Sequence, residues 1–291
     1  MRVDAHQHFW LPERVEYAWM RALAGEAARR LVRPVLPPEL EPILAHQGVV
    51  QTVLVQAAAD EDEADFLLSL AERHAFIAGA VVWLDMDSAD FERQLARCAA
   101  HPKFRGVRPM LQDIEDLGWL HRPLVRRAFG VLEEQQVCFD FLIKPHQLPA
   151  TLEVLEAFPK LRAVIDHIAK PDIARRAHEP WAGLLQRVSA HRNVYCKLSG
   201  MITEADHERW TPDDLAPFVA HALACFGPER SMYGSDWPVC TLAGGYDRVV
   251  LALEDNLARL GLEPRALSAI FADSAREFYR LPAPGAAQRA V

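Results

Sequence analysis

Eight short apolar segments recur along the chain at nearly even spacing, and this regular spacing constrains the fold more than any other feature. They are rich in Val, Ile, Leu and Phe, and they cover residues 2–9, 50–57, 77–85, 104–111, 137–143, 161–168, 193–200 and 231–237. Their starting points lie about 33 residues apart on average, which is the length of one βα unit. Segments of this composition, bounded by Pro, Gly or Asp, predict β-strands.

Longer segments with helical periodicity lie between the predicted strands, for example at residues 63–74, 89–100, 122–136 and 149–159. Strict alternation of strand and helix requires parallel strands joined by right-handed crossovers. Eight such units close into a (β/α)8 barrel, the TIM-barrel form of an α/β fold. An open doubly wound sheet is the alternative, but even spacing and the lack of a G-x-G-x-x-G motif disfavour it. We therefore expect residues 1–291 to form one barrel domain.

The first connection, residues 10–49, is longer than the others and contains Trp10, Tyr17, Trp19 and a group of prolines at positions 34, 37 and 38. Loops that follow the strands of a barrel stand over its catalytic mouth. The segment is therefore either a lid over that mouth or a packed surface excursion. As a lid it would bring Trp19 to the substrate.

Charge and cysteine content narrow the function classes. The formal net charge is −8 and no basic block is present, so binding to nucleic acid or to an anionic membrane is not expected. Five scattered cysteines without a C-x-x-C motif predict reduced thiols and not a disulfide framework. The chain shows no signal-peptide pattern, and its apolar runs are too short to span a bilayer. We expect a soluble cytoplasmic protein with a small-molecule partner.

Polar side chains gather where several predicted strands end. Asp4, His6 and His8 alternate along the first strand and so share one face. The fourth, sixth and eighth strands end near Arg108, His167 and Asp236, respectively. The carboxyl ends of barrel strands meet at one mouth, and a polar cluster is costly there unless it forms a site. For His167 alone, a core histidine with a hydrogen-bond partner is the simpler explanation. A joint site, in contrast, explains all of these residues together.

Three motifs resemble one known group of enzymes. DAHQHFW at residues 4–10, DHIAKP at 166–171 and GSDWP at 234–238 resemble the sugar-lactonase branch of the amidohydrolase superfamily. That branch includes fuconolactonase-like and rhamnonolactonase-like enzymes and the pyrone-dicarboxylate lactonase. The resemblance implies a hydrolase that opens a sugar-acid lactone, such as L-fucono-, L-galactono- or L-rhamnonolactone. The alternatives are a metal-dependent decarboxylase of the same superfamily and a sugar-acid binding protein without catalytic activity.

The resemblance also implies roles for four residues. Asp236 corresponds to the base that activates water, and His6, His8 and His167 correspond to metal ligands or oxyanion donors. These three nitrogens and one carboxylate suit a single divalent ion, with zinc the first choice, and the same residues can also act without a metal. Superfamily members with two metals use a further residue near the fourth or fifth strand. Here Lys144 and His146 fall beyond that strand end, so a second metal is not expected.

Six residues are candidates for substrate contacts. Arg108 suits a substrate oxygen or carboxylate, although an ion pair with Asp140 or Asp4 explains it equally well. Lys197 and Ser199 lie two apart on the seventh strand and suit substrate hydroxyls, unless they are merely a solvated strand end. Trp83 and Trp237 suit the apolar face of a sugar ring, and Trp19 completes the set.

Overall fold

The strands form one parallel ring in chain order. The computed structural model describes residues 1–283. The strands are β1 (Arg2–Gln7), β2 (Val49–Val55), β3 (Ile77–Val82), β4 (Phe104–Val107), β5 (Cys138–Phe141), β6 (Ala163–Ile165), β7 (Val194–Leu198) and β8 (Ser231–Tyr233). Each strand pairs in parallel with the next, in the order β1 to β8. The predicted (β/α)8 barrel is confirmed.

The seam between β1 and the segment after β8 closes the ring. Gln7 forms a parallel bridge with Trp237. The backbone N–H of His8 donates to the carbonyl of Trp237 at 2.8 Å, and the N–H of Asp236 donates to that of His6 at 2.8 Å. The alternative open sheet is therefore wrong, because its two edge strands would not meet.

Helices surround the ring. They are α1 (Gly25–Leu31), α2 (Pro37–Gln47), α3 (Glu61–Arg73), α4 (Phe91–Ala99), α5 (Pro123–Glu134), α6 (Leu148–Ala157), α7 (Trp181–Ser189), α8 (Pro212–Phe226), α9 (Tyr246–Arg259), α10 (Pro264–Ser268) and α11 (Ser274–Tyr279). Their ends carry ordinary helix signals: the Asp60 carboxylate accepts from the N–H of Asp62 at the start of α3, and Gly48 ends α2 in the left-handed conformation. Within residues 1–283, no helix has the length and apolar character needed to cross a membrane.

The long first connection packs against the mouth of the barrel. Trp10 pairs with Val35 in a short antiparallel bridge, and its indole N–H donates to the carbonyl of Leu31 at 3.0 Å. The indole N–H of Trp19 donates to the carbonyl of Ala57, just after β2, at 2.9 Å. These bonds hold the segment to the carboxyl ends of the strands, where it forms part of the mouth.

The opposite end of the barrel is plugged by α11. The carbonyl of Phe278 accepts hydrogen bonds from Arg162 at 2.8 Å and from the thiol of Cys138 at 3.1 Å, both at the start of their strands. The Phe278 ring packs on Tyr195 with a centroid separation of 4.9 Å. Among residues 1–283, α11 thus fills this end of the barrel, and the described cavity opens at the carboxyl ends of the strands.

We predict that Phe278→Ala lowers the free energy of unfolding by about 3–5 kcal/mol, since it removes a fully buried ring from the plug. Urea denaturation followed by tryptophan fluorescence measures the change. Leu251→Ala, at a side chain that is 62% exposed on α9, is the control and should change stability by less than about 0.5 kcal/mol. Equal effects of the two substitutions would contradict the assigned plug.

Candidate active site

Four predicted residues meet at the mouth of the barrel. Oδ1 of Asp236 lies 3.3 Å from Nε2 of His8 and 3.8 Å from Nε2 of both His6 and His167. Nε2 of His6 lies 3.2 Å from Nε2 of His8. All four side chains are buried. One carboxylate thus faces three imidazoles brought together from β1, the end of β6 and the end of β8.

A left-handed turn carries His167. The sequence predicts this residue at the end of the sixth strand, but β6 ends at Ile165, and residues 167–170 all have positive φ, from 48° to 62°. Left-handed backbone costs about 1–2 kcal/mol per L-residue, so this turn is strained. The indole of Trp181 holds it by donating to the carbonyl of Ile168 at 2.6 Å. This backbone conformation directs the imidazole of His167 toward Asp236.

Glycine at position 200 makes room for that imidazole. Gly200 follows β7 with φ of +62°, and a Cβ built there would lie 2.5 Å from Nδ1 of His167. A larger residue would displace the ring. The neighbouring Ser199 fixes it, since Oγ of Ser199 lies 2.9 Å from Nδ1 of His167.

Asp4 positions the loop that carries Asp236. Its carboxylate accepts from the N–H and hydroxyl of Ser235, at 2.9 and 2.6 Å, and from the hydroxyl of Tyr246 at 3.0 Å. Strict alternation predicts that Asp4 shares a face with His6 and His8, but the register of β1 shifts between Asp4 and Gln7. The shift leaves Asp4 outside the cluster, as a support for Ser235.

A buried ammonium group lies beneath His6. Nζ of Lys197 is 2.6 Å from Oδ2 of Asp140, 2.9 Å from Oδ1 of Asp166 and 3.0 Å from Nδ1 of His6. Asp140 and His6 each form a hydrogen bond with this ammonium, and the Asp166 carboxylate faces it as an ion pair. Asp140 also accepts from the hydroxyl of Tyr279 in α11 at 2.7 Å, so the network runs from the plug to the cluster around Asp236.

These partners fix the imidazole tautomers. The carbonyl of Val55 lies 2.8 Å from Nδ1 of His8, which therefore carries the proton and leaves a lone pair on Nε2. His6 is the reverse, because Lys197 donates to its Nδ1 and places the proton on Nε2. Nε2 of His8 and the Asp236 carboxylate are then two acceptors 3.3 Å apart. Such a contact needs a positive charge, either a proton on His8 or a bound cation.

Burial and charge set the ionisation of the cluster. Burial, with a smaller effect from Lys197, holds the pKa of His6 well below its ordinary value, and burial lowers the pKa of His167 to about 3. Burial opposes ionisation of Asp236, but the surrounding imidazoles, His167 foremost, outweigh it and hold the pKa of that carboxyl below its usual range. At neutral pH the site therefore combines a carboxylate with two neutral imidazoles, those of His6 and His167.

A cavity of about 250 Å³ opens above the cluster, a volume suited to a small molecule. Five predicted site residues line it: His8, Trp19, Arg108, His167 and Asp236. Nη1 of Arg108 lies 3.0 Å from Oδ2 of Asp166 and 3.4 Å from Nε2 of His6. The ion pair expected for Arg108 thus forms with Asp166, and not with Asp140 or Asp4.

Other predicted contacts lie elsewhere. Among the described residues that line the cavity, Lys197, Ser199, Trp83 and Trp237 are absent. Lys197 and Ser199 are fully buried beneath the cluster, where they hold His6 and His167. Trp237 is buried against Phe9, with ring centroids 5.8 Å apart. Strand alternation predicts which face of the strand a side chain occupies but not its depth along the barrel axis. This explains why Lys197 and Ser199 lie below the cavity and not in its lining.

Five polar residues of the cavity lining have no sequence-based prediction. They are Gln112, Lys170, Thr203, Glu204 and His207. Lys170 lies in the DHIAKP motif, and the last three residues follow β7 in a loop at the mouth of the barrel. The motif and the position after a strand are therefore two sequence features that could have indicated these four residues. Asp166, which precedes His167 and contacts both Arg108 and Lys197, is a further buried residue without a prediction.

The donor set fits one divalent cation. Ligand atoms of His6, His167 and Asp236 all lie within 4.8 Å of one another. The lone pair of His8 faces Asp236, which is the arrangement that a cation would relieve. Binding of the ion by His6 would require loss of the proton on its Nε2, because Lys197 donates to its Nδ1. Within residues 1–283 this is the sole cluster of that composition.

Comparison with known proteins agrees with the geometry. The family model described as amidohydrolase matches residues 3–281. The chain is 39% identical to L-fucono-1,5-lactonase of Burkholderia ambifaria and 35% identical to that of Burkholderia multivorans, each over 99% of both chains. An amidohydrolase from Burkholderia multivorans, solved with bound zinc, is 34% identical and superposes with a TM-score of 0.88, covering 97% of this chain and all of the other.

The protein belongs to the amidohydrolase family. Its predicted place in the sugar-lactonase branch of that superfamily is also confirmed, because the two lactonases match it from end to end. The same matches confirm the predicted enzyme class: this amidohydrolase is a hydrolase of the lactonase type. In this family member, the polar cluster occupies the end of the barrel where such folds carry their active sites.

We predict that the buried imidazoles make stability depend on pH. Because the pKa of His167 is about 3 in the folded chain and near 6.5 when unfolded, the unfolded chain binds an extra proton between those values. The free energy of unfolding therefore falls as pH falls through that window, by up to about 1.4 kcal/mol per pH unit for this group. Urea denaturation of chelator-treated protein between pH 4 and 6.5 should show a smaller slope for His167→Gln. Replacing exposed His46 by Gln should leave the slope unchanged, and identical slopes in all three proteins would refute the assignment.

Proposed function

We propose that the protein hydrolyses a sugar-acid lactone, with L-fucono-1,5-lactone as the first candidate and L-galactono- and L-rhamnonolactone as others. The observation that carries this proposal is the Asp236 carboxylate, faced by three imidazoles at the floor of a small cavity. Such a cluster can activate water beside a polarised carbonyl. The full-length match to two L-fucono-1,5-lactonases supports the choice of substrate class.

Asp236 is the proposed base. Its carboxylate accepts a proton as water attacks the lactone carbonyl carbon, and it returns that proton to the ring oxygen as the carbon–oxygen bond breaks. A carboxyl whose pKa lies below its usual range is a weak base, so its contribution depends on its position and on the electrostatics around it.

Hydrogen-bond donors beside Asp236 would stabilise the oxyanion. His6 presents an N–H from Nε2, because Lys197 occupies its other nitrogen. Nη1 of Arg108, which lines the cavity, lies 3.4 Å from that same Nε2, so the two donors lie side by side. Donors fixed before the reaction lower the barrier most when they point to where negative charge develops. Arg108 is held by Asp166 and His6 by Lys197, which meets that requirement.

A divalent ion, with zinc as the first choice, would be held by His6, His8, His167 and Asp236. When bound, it would polarise the carbonyl and lower the pKa of an attacking water. Without it, protonated His8 would supply the positive charge that the contact with Asp236 requires. Both versions use the same side chains, and the metal content of the protein distinguishes them.

We predict that Asp236→Asn lowers kcat on L-fucono-1,5-lactone by about 10²- to 10⁴-fold, the usual contribution of a general base. A pH-stat assay over a panel of aldonolactones measures acid release, and Asp113→Asn, at an exposed position, is the matched control. Carbon dioxide evolution in place of simple acid release would favour the decarboxylase alternative. Tight lactone binding by wild type without turnover on any lactone would favour a binding protein.

We predict that protein purified without chelator contains about one zinc ion per chain, as the four converging donors suggest. Elemental analysis measures the content, and turnover is compared before and after chelation. Loss of turnover that returns with added zinc supports the metal version. Unchanged turnover in fully stripped protein would refute it and leave the metal-free version, with the same base.

A further inference from the structure

A second polar pair lines the cavity apart from the catalytic cluster. Nζ of Lys170 lies 3.1 Å from Oε1 of Glu204, and the two side chains are 19% and 26% exposed. Both line the same cavity as His8, His167 and Asp236. Neither contacts the Asp236 carboxylate, so the pair has no part in the proposed hydrolytic step. A partly exposed ion pair inside a ligand cavity contributes little to stability, which directs attention to ligand binding.

The backbone on both sides of this pair is fixed. Lys170 ends the left-handed turn, and its N–H donates to the carbonyl of His167 at 2.8 Å. The N–H of Glu204 donates to the carbonyl of Met201 at 3.2 Å, and the carbonyl of Glu204 accepts from Ala174 at 3.0 Å. Lys170 is therefore three residues from His167 on one rigid turn. A ligand held by this pair would have a fixed orientation relative to the catalytic residues.

The cavity that contains the pair also has apolar walls. Trp10, Trp19, Leu23, Leu142 and Leu242 contribute to the lining. In pockets of this kind, a few polar groups among apolar ones determine how the ligand is oriented. The apolar side chains suit the carbon–hydrogen faces of a sugar ring, and they leave the ring hydroxyls to the polar groups.

Lys170 and Glu204 have hydrogen-bonding groups that their own contact does not use. An ammonium has three N–H donors, and Lys170 uses one on Oε1 of Glu204. Among residues 1–283, no hydrogen bond from another side chain reaches the carboxylate of Glu204. Two neighbouring hydroxyls can therefore bind together, one donating to Glu204 and the other accepting from Lys170. We propose that Lys170 and Glu204 form a hydroxyl-binding subsite that selects polyhydroxylated lactones. This subsite rests on the proposed lactone hydrolysis.

The selection should be measurable. Hydrogen bonds to charged groups typically change binding by about 10- to 100-fold each. A lactone without hydroxyls gains nothing from the pair and leaves its charges facing an apolar ring. The subsite therefore increases kcat/KM for hydroxylated lactones over unsubstituted ones of the same ring size.

The test compares two substrates and three variants. L-fucono-1,5-lactone carries ring hydroxyls, and δ-valerolactone has the same six-membered ring without them. Glu204→Ala should lower kcat/KM for the first about 10- to 100-fold and for the second less than about 3-fold. Glu204→Gln keeps an acceptor oxygen and should restore part of the loss. Glu208→Gln, an exposed carboxylate of the same loop, is the matched control and should change neither value.

The outcomes separate this inference from the function it serves. If wild type hydrolyses neither lactone, the proposed function fails. If wild type hydrolyses both and Glu204→Ala lowers kcat/KM equally for both, the lactonase function stands and the subsite is wrong. The ratio of the two kcat/KM values is the decisive readout, because a merely structural role would weaken hydrolysis of both lactones together.

Discussion

The closure of the barrel between β1 and the segment after β8 is the constraint on which the site depends. Two backbone hydrogen bonds join His6 to Asp236 and Trp237 to His8 across this seam. They hold the first and last elements of the ring side by side. Asp236 follows β8 with φ of 56°, and Asp4 holds the preceding Ser235 through two hydrogen bonds. The geometry between the carboxylate and the first two imidazoles thus follows from ring closure.

Charge compensation inside the barrel sets the state of those imidazoles. Arg108 and Lys197 balance Asp140 and Asp166, and all four are buried. A buried pair that loses one partner typically costs about 3–5 kcal/mol, so the four groups behave as one unit. Burial raises the pKa of Asp166, but Lys197 and His6 outweigh it and hold that pKa well below its usual range. Because Lys197 donates to Nδ1 of His6, it fixes which nitrogen of His6 carries the proton.

The fold and the convergence of the four polar side chains could be predicted from the sequence, because each depends on a periodic signal. Strand spacing predicts the barrel, and residues at strand ends predict the cluster of His6, His8, His167 and Asp236. The sequence has no such signal for the depth of a side chain along the barrel axis. Strand alternation therefore predicts that Lys197 and Ser199 contact the substrate, whereas in the structure they lie beneath the imidazoles. The side of the cavity that holds Lys170 and Glu204 is formed by loops after β6 and β7, whose conformations no periodicity encodes.

The left-handed turn after β6 shows why that part of the site escapes prediction. Its four residues adopt a backbone that their own preferences disfavour, and tertiary contacts hold it, among them the bond from Trp181 to Ile168. Gly200, on the neighbouring strand end, leaves space for the imidazole that the turn presents. One strained turn therefore places His167 against Asp236 and Lys170 against Glu204. The turn therefore fixes the distance between the Asp236 cluster and the Lys170–Glu204 pair.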